Sequence, residues 1–230
     1  MTKVLNQGFV ELVKRDGDDM TVLQAARVST GADADKGEVK NRKLINYLMK
    51  NYHHSPFEMI GFRFHIKLPI FVMRQLVRHR IASLNEMSGR YRELPTDFFV
   101  PLEWRRQSKK NKQGSDPEPY NLEQQKDFFH KLFEVYALAE DNYHYLLERG
   151  VSRELARILL PVSTYTEIYW KINFRSLMNF IFLRNDSHAQ YEIQVYGKAV
   201  YDIVRSDPAI QLCMDAFDNH YPLTFLHEDD

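Results

Sequence analysis

Cysteine is almost missing from this chain: Cys213 is the single one among 230 residues. One thiol forms neither an internal disulfide nor a multi-cysteine metal site, which fits a reducing compartment. Its setting, QLCMDAF, reads as an apolar helix face, so a structural cysteine is expected rather than a nucleophile. Histidines at HxxxH or HExxH spacing are also missing. His53 and His54 are adjacent and point apart on any regular element, so no metal is expected. The nine glycines include no GxGxxG, which argues against a Rossmann-type dinucleotide site. No apolar run approaches the ~20 residues of a membrane span, and no basic-then-apolar leader opens the sequence. A cytoplasmic protein without a membrane partner is expected. Excess charge is lacking too: 31 basic residues balance 31 acidic ones, which counts against a general nucleic-acid binder.

What is present suits one globular α+β domain over residues 1–230, with 44% hydrophobic and 27% charged residues. Apolar and polar residues alternate over 3–15, predicting a strand before the turn at Asp16–Asp19. Thr21 is placed to cap a short helix, residues 31–37 read as a loop, and 39–52 carry a helical stripe. Phe62, Phe64, Ile66 and Leu68 alternate with Arg63, His65 and Lys67, the cleanest strand in the chain. Pro69 then suits position N1 of a helix running to Val77. A short strand is expected at Phe98–Val100. Residues 104–120, basic and holding Pro and Gly, read as a mobile surface loop. A long helix follows over 121–149, stopped by Gly150. After a helix from Ser152 come a strand at 164–173, a helix at 174–184, and a further helix capped by Asp186 or Ser187. Residues 206–230 form a variable tail. The sheet is expected to be mixed or antiparallel, against longer helices.

The chemistry concentrates in Arg78–Tyr91, RHRIASLNEMSGRY, flanked by Arg74 and Arg92. Arginine forks match phosphate or carboxylate with paired hydrogen bonds. Beside Ser83, Asn85 and Ser88 they suit a phosphorylated, polar heterocycle, and Glu86 can orient an arginine or accept from a ligand N–H. A solvated basic loop would not need the interleaved Ser, Asn, Gly and Tyr. A second polar group, Asn173, Arg175, Asn179, Arg184, Asp186, Ser187, His188 and Gln190, occupies an otherwise apolar helix and its end.

The first stretch matches every fixed position of RHRxxSxNExSxRY and resembles the signature of the flavin-dependent thymidylate synthases. NFRSLMNFIFLRNDSHAQYEI (173–193) and SRELARILLP (152–161) resemble further blocks of that family, and the similarity runs from about Gly8 to about Tyr201. The resemblance implies a homotetramer with sites shared between subunits. It also implies reductive methylation of dUMP to dTMP, with methylenetetrahydrofolate as carbon donor, NADPH as reductant and FAD as cofactor. Carried over by position, Ser29, Ser55, Glu58, Arg78, His79, Arg80, Ile81, Asn85, Glu86, Asn173, Arg175, Asn179 and His188 would contact FAD. Gln75, Arg78, Glu86, Met87, Ser88, Gly89, Arg90, Arg157 and Arg184 would hold dUMP, and His53 would approach the folate. Arg184 is the expected catalytic group, a guanidinium on the uracil edge stabilising negative charge at N3 and O4. Ser88 lacks an evident histidine base and is assigned to binding. Met59 departs from the pattern, since many relatives carry His after SPFE. Two other readings compete: an Arg-rich grip on RNA with Tyr91 stacked on a base, and a regulator that binds dUMP without turnover.

Overall fold

The computed structural model describes residues 1–31 and 35–223 of the chain, which form a single α+β domain. Its elements are β1 (Thr2–Val4), β2 (Gly8–Asp16), α1 (Asp19–Arg27), α2 (Glu38–Lys50), β3 (Gly61–Pro69), α3 (Ile70–Leu76) and β4 (Ala82–Glu86). Then follow β5 (Arg105–Gln107), β6 (Ser115–Pro119), α4 (Leu122–Glu148), α5 (Arg153–Ala156), β7 (Tyr165–Asn173), α6 (Phe174–Arg184), α7 (Tyr191–Arg205) and α8 (Gln211–His220). No helix of the described residues is long and apolar enough to cross a membrane.

Five strands pair in the order β1-β2-β3-β7-β4, each pair antiparallel. The alternation read over 62–68 sets the faces. Phe62, Phe64 and Ile66 sit opposite Ile172, Trp170 and Ile168, all buried under α2, α6, α7 and α8. Arg63, His65 and Lys67 take the other face with Lys171, Tyr169 and Glu167. There His65 stacks on Tyr169 at 4.9 Å and bonds Glu167 at 2.9 Å. Burying an aromatic or branched side chain stabilises by roughly 1.5–3 kcal/mol, so this inner face dominates cohesion.

Several expected boundaries move, each for a local reason. The 3–15 strand breaks at Leu5, whose φ of 56° turns the chain so that Val4 pairs with Gly8. Asp18, not Thr21, caps α1: its carboxylate accepts from Thr21 N, and the Thr21 hydroxyl accepts from Asp18 N in return. Pro69 ends β3 and is the N-cap of α3 rather than N1. The expected strand at Phe98–Val100 is one bridge, Phe98 to Thr164. Residues 105–119 pair as a hairpin, β5 with β6, instead of an irregular loop. α7 starts at Tyr191, so neither Asp186 nor Ser187 caps it; Asp186 takes the His188 N–H in a turn. Gly150 does end α4, at φ 78°. The apolar stripe of α4 is mostly not core: only Tyr136 and Tyr143 of its 27 residues are buried. Phe133, Val135 and Leu138 lie open.

One long-range cap ties the two ends of the chain. α8 has no cap of its own, and the Asp19 carboxylate from α1 accepts from Leu212 N at 2.8 Å and Cys213 N at 3.0 Å. A negative group at a helix N-terminus satisfies orphan N–H groups and opposes the helix dipole. Asp19→Ala is expected to lower unfolding free energy by about 1–2 kcal/mol in urea titration. A wild-type midpoint in that variant would show that α8 holds without the carboxylate.

Candidate active site

The Arg-rich signature is not a loop. After α3 the chain turns through Val77–Ile81 and then pairs as β4 along β7, Ala82 against Ile172 through to Glu86 against Ile168. Extension separates the two halves of the signature by about 17 Å, at ~3.3 Å per residue. Arg78–Ile81 lie at one end of β4 and Met87–Arg90 at the other, and each half lines its own cleft.

The first cleft, of about 740 Å³, is lined by Arg78, His79, Arg80, Arg175, Asn179 and Arg184 among others. Among the described residues, four arginines and no carboxylate form its wall. Neither Arg78 nor Arg80 has a side-chain partner among the described residues, and Arg175 reaches Glu58 only at 3.6 Å. Such a surplus of guanidinium is stable only where water or an anion compensates it. Met178, Phe182 and Ile81 add an apolar side.

Arg184 is held at the back of this cleft. Its Nε donates to His79 Nε2 at 3.0 Å and its Nη2 to the Gln75 carbonyl at 3.3 Å. A histidine that accepts from a cation must be neutral, with its proton on Nδ1. Burial first, and the adjacent Arg184 charge second, bring His79 down to about 4. Burial also lowers the Arg184 guanidinium from its ordinary value. The His79 ring meets Phe180 edge-on at 5.0 Å. The end of α6 can lie this close to α7 because position 197 is glycine: an added Cβ would fall 3.3 Å from Arg184 Cβ and 3.1 Å from Asn185 Oδ1. A mid-helix glycine costs about 1 kcal/mol against alanine, and at Gly197 it yields the approach of Arg184.

The second cleft, of about 530 Å³, opens along α3, with Arg74, Glu86, Met87, Gly89, Arg157 and Thr166 in its wall. Thr166 Oγ1 donates to Glu86 Oε1 at 2.9 Å, fixing the carboxylate. Gly89 is packed, not merely flexible: a Cβ there would come within 2.9 Å of Leu94 and 3.1 Å of Arg157. Arg90 is tied at 3.1 Å to exposed Glu154, a pair of little energetic weight. Asn85 and Ser88 line a third hollow with His65, Tyr91 and Tyr169, and Glu86 and Met87 border both it and the second cleft.

The structure therefore gathers Arg78, His79, Arg80, Ile81, Arg175, Asn179 and Arg184 into one cleft, and Glu86, Met87, Gly89 and Arg157 into another. Ser55 and Glu58 sit in a 3-10 turn packed beside α6. The remaining expected residues line neither cleft within the described chain. Asn173 caps α6 by accepting from Ser176 N. Ser29 is exposed and bonds Ala26 O. His188 pairs with Asp186 at the surface, and His53 meets Tyr47 edge-on at 5.9 Å. Gln75 lies between the clefts, its amide on Gln190. Sequence reading passed over Tyr52, His54 and Tyr221 of the first cleft; His54 and Tyr221 meet at 3.3 Å only through chain reversal. Cys213 is fully buried, its thiol pushed well up by that burial, and out of reach of either cleft.

The family model described as thymidylate synthase complementing protein matches residues 11–207. The flavin-dependent thymidylate synthase of Kosmotoga olearia is 54% identical over 207 residues, 89% of this chain and 88% of that protein. That of Thermus thermophilus is 45% identical over 217 residues, 94% and 78% of the two chains. The chain belongs to the flavin-dependent thymidylate synthase family. Within that family it is an enzyme of the thymidylate synthase type. Its fold is also that of a UMP/dUMP methylase, PolB from Streptomyces cacaoi, in a crystal structure with 5-Br dUMP. The TM-score is 0.84 at 33% identity, over 96% of this chain and 99% of that one. The stretch that resembles the family signature, Arg78–Tyr91, is the one that β4 divides between the two clefts.

The depressed value of His79 has a consequence in acid. As pH falls below the ordinary 6.5, the unfolded chain takes up this proton while the folded chain refuses it until about 4. Stability is full above pH 6.5 and falls through that window. His54, also lowered by burial, adds to the same slope. Urea midpoints measured from pH 7.5 to 4 should fall less steeply in His79→Gln; an unchanged slope would mean that His79 is not held neutral.

Proposed function

We propose that the chain converts dUMP to dTMP, taking its one-carbon unit from methylenetetrahydrofolate and its reducing equivalents from NADPH through FAD. The observation that carries this reading is a cleft walled, among the described residues, by four arginines without a carboxylate, one of which, Arg184, bonds the backbone of the helix that also borders the second cleft. Two diphosphate oxyanions would satisfy the unpaired Arg78 and Arg80, and Met178 and Phe182 would flank a fused aromatic ring. The cleft is within the 300–1,000 Å³ range of cofactor sites. These residues fit FAD, with Arg78–Ile81, Arg175 and Asn179 holding it, helped by Ser55 and Glu58. The reduced flavin would supply the hydride that completes the methyl group.

The other roles belong to side chains. Arg157, Arg90, Ser88 and the Gly89 backbone would bind the nucleotide phosphate, and Glu86, fixed by Thr166, would accept from its sugar or base. Arg184 would place its cation on the pyrimidine edge, where negative charge builds at N3 and O4; in a dry site such a cation contributes several kcal/mol to the transition state. Neutral His79 holds that guanidinium without competing for a proton. With Cys213 buried, no thiol takes part.

In one described chain Arg184 and Arg157 face different clefts. The reading therefore includes a homotetramer in which neighbouring copies bring Arg157, Gln75, Ser29, Asn85, His188 and His53 to a shared site. The open apolar side chains of α4, with Leu155, Ile158 and Val162 beyond it, suit such contacts. The reaction would run in the cytoplasm.

Purified protein given FAD should keep a flavin spectrum that NADPH bleaches anaerobically, and should then form dTMP from dUMP and methylenetetrahydrofolate. Arg184→Ala is expected to retain flavin and lose about 100-fold or more in turnover. Gly197→Ala, which presses on Arg184, is expected to lose roughly 3–10-fold. Undiminished turnover in Arg184→Ala would remove its proposed role, and protein that retains no flavin would favour the RNA-binding reading.

A further inference from the structure

We propose that Glu192 is a positioning residue for Arg184, acting through Gln190 and Gln75, and that the 105–119 hairpin clamps this relay through Arg105. Glu192 is 2% exposed at the start of α7, and both its oxygens are committed. Arg105 Nη2 contacts Oε1 at 2.6 Å, and Gln190 Nε2 donates to Oε2 at 2.7 Å. A carboxylate is acceptor-only, so it dictates the orientation of the Gln190 amide. The Gln190 oxygen is thereby turned to Gln75, whose Nε2 donates to it. Gln75 is the last polar residue of α3, and its carbonyl receives Arg184 Nη2. Arg184 Nε then reaches His79.

Four elements distant in sequence are thus joined: hydrogen bonds run from the buried carboxylate to the Gln75 side chain, and the backbone carbonyl of that same residue, at the end of α3, receives Arg184. The hairpin end is fastened as well: Arg105 Nε donates to Ser115 Oγ at 3.0 Å, and the guanidinium lies 5.0 Å over the Tyr191 ring. A buried carboxylate is retained at high desolvation cost unless it is paired, and here the pair lies outside both clefts. Its service is orientation. The Glu192→Gln substitution keeps the volume but introduces a donor. The ion pair is lost either way, and the new donor opposes either Arg105 or the Gln190 NH₂; in the second case the amides downstream reverse. Gln190→Ala interrupts the series at an exposed position without touching the carboxylate.

This inference rests on the proposed role of Arg184, and the test separates the two. The ring resonances of ¹³C-labelled histidine, with His79 assigned by its loss in His79→Gln, report the Arg184–His79 contact without any turnover. In Glu192→Gln and Gln190→Ala a loosened Arg184 should let the His79 midpoint rise by ~0.5 pH unit or more. kcat/KM for dUMP should fall about tenfold, with thermal unfolding of Gln190→Ala unchanged. A His79 midpoint that stays at its wild-type value in Gln190→Ala overturns the proposal, whatever turnover does. A midpoint that moves in a protein whose wild type forms no dTMP supports the relay and refutes the proposed function instead.

Discussion

Strand β7 is paired along its full length with β3 and along half of it with β4. Everything functional hangs on that double pairing. Its inner residues, Ile168, Trp170 and Ile172, complete the apolar face that seats α6 and α7. Its outer edge gives β4 the only partner that five mostly exposed residues could use. Without the ladder on β7, the polar sequence Ala82–Glu86 has too little apolar surface to order itself, and the two halves of the signature would lose their fixed separation. The hydrophobic face of the sheet thus stabilises an arrangement that its most polar strand could not hold alone.

Around that scaffold the site uses charge in two ways. Among the described residues Arg78 and Arg80 are left without side-chain partners, a state tolerable at the mouth of a wet cleft and favourable once an anion arrives. Arg184 is deeper and is constrained by a neutral imidazole and a helix-end carbonyl rather than by a carboxylate. Neutral acceptors orient a guanidinium while leaving its full charge for a ligand. An acid in the same place would hold it more tightly and cancel it.

The parts of this organisation that were legible in the sequence are those governed by short-range periodicity. The 62–68 and 164–173 strands, the faces they bury and the helix over 174–184 follow from alternation and apolar spacing, and the structure has all three. Capping departs from the sequence reading where two acceptors compete. Asp18 and Thr21 both carry an acceptor, and the reciprocal bond goes to the residue that is still extended. By its own, mostly polar side chains the signature reads as a helix end running into a loop. What makes it a strand is the free edge of β7, ninety residues later. The same distance hides the Arg105–Glu192 pair: a basic, Pro-containing segment gave no sign that one arginine has a buried acid waiting. The family signature exposed the chemistry of Arg78–Tyr91 and 173–193 at once, but not that Glu86 reaches the second cleft while its neighbour Asn85 does not.

That alternation makes β4 a ruler. Each residue inserted into Ala82–Glu86 would lengthen the gap between the clefts by about 3.3 Å and turn every later side chain over to the other face. The count of residues between the RHR triplet and Ser88 is therefore a length and a parity at once. Substitutions along the strand are constrained only by their own contacts, whereas a single-residue insertion or deletion would exchange the surroundings of Asn85 and Glu86. Drift in this segment is open to changes of letter but closed to changes of number.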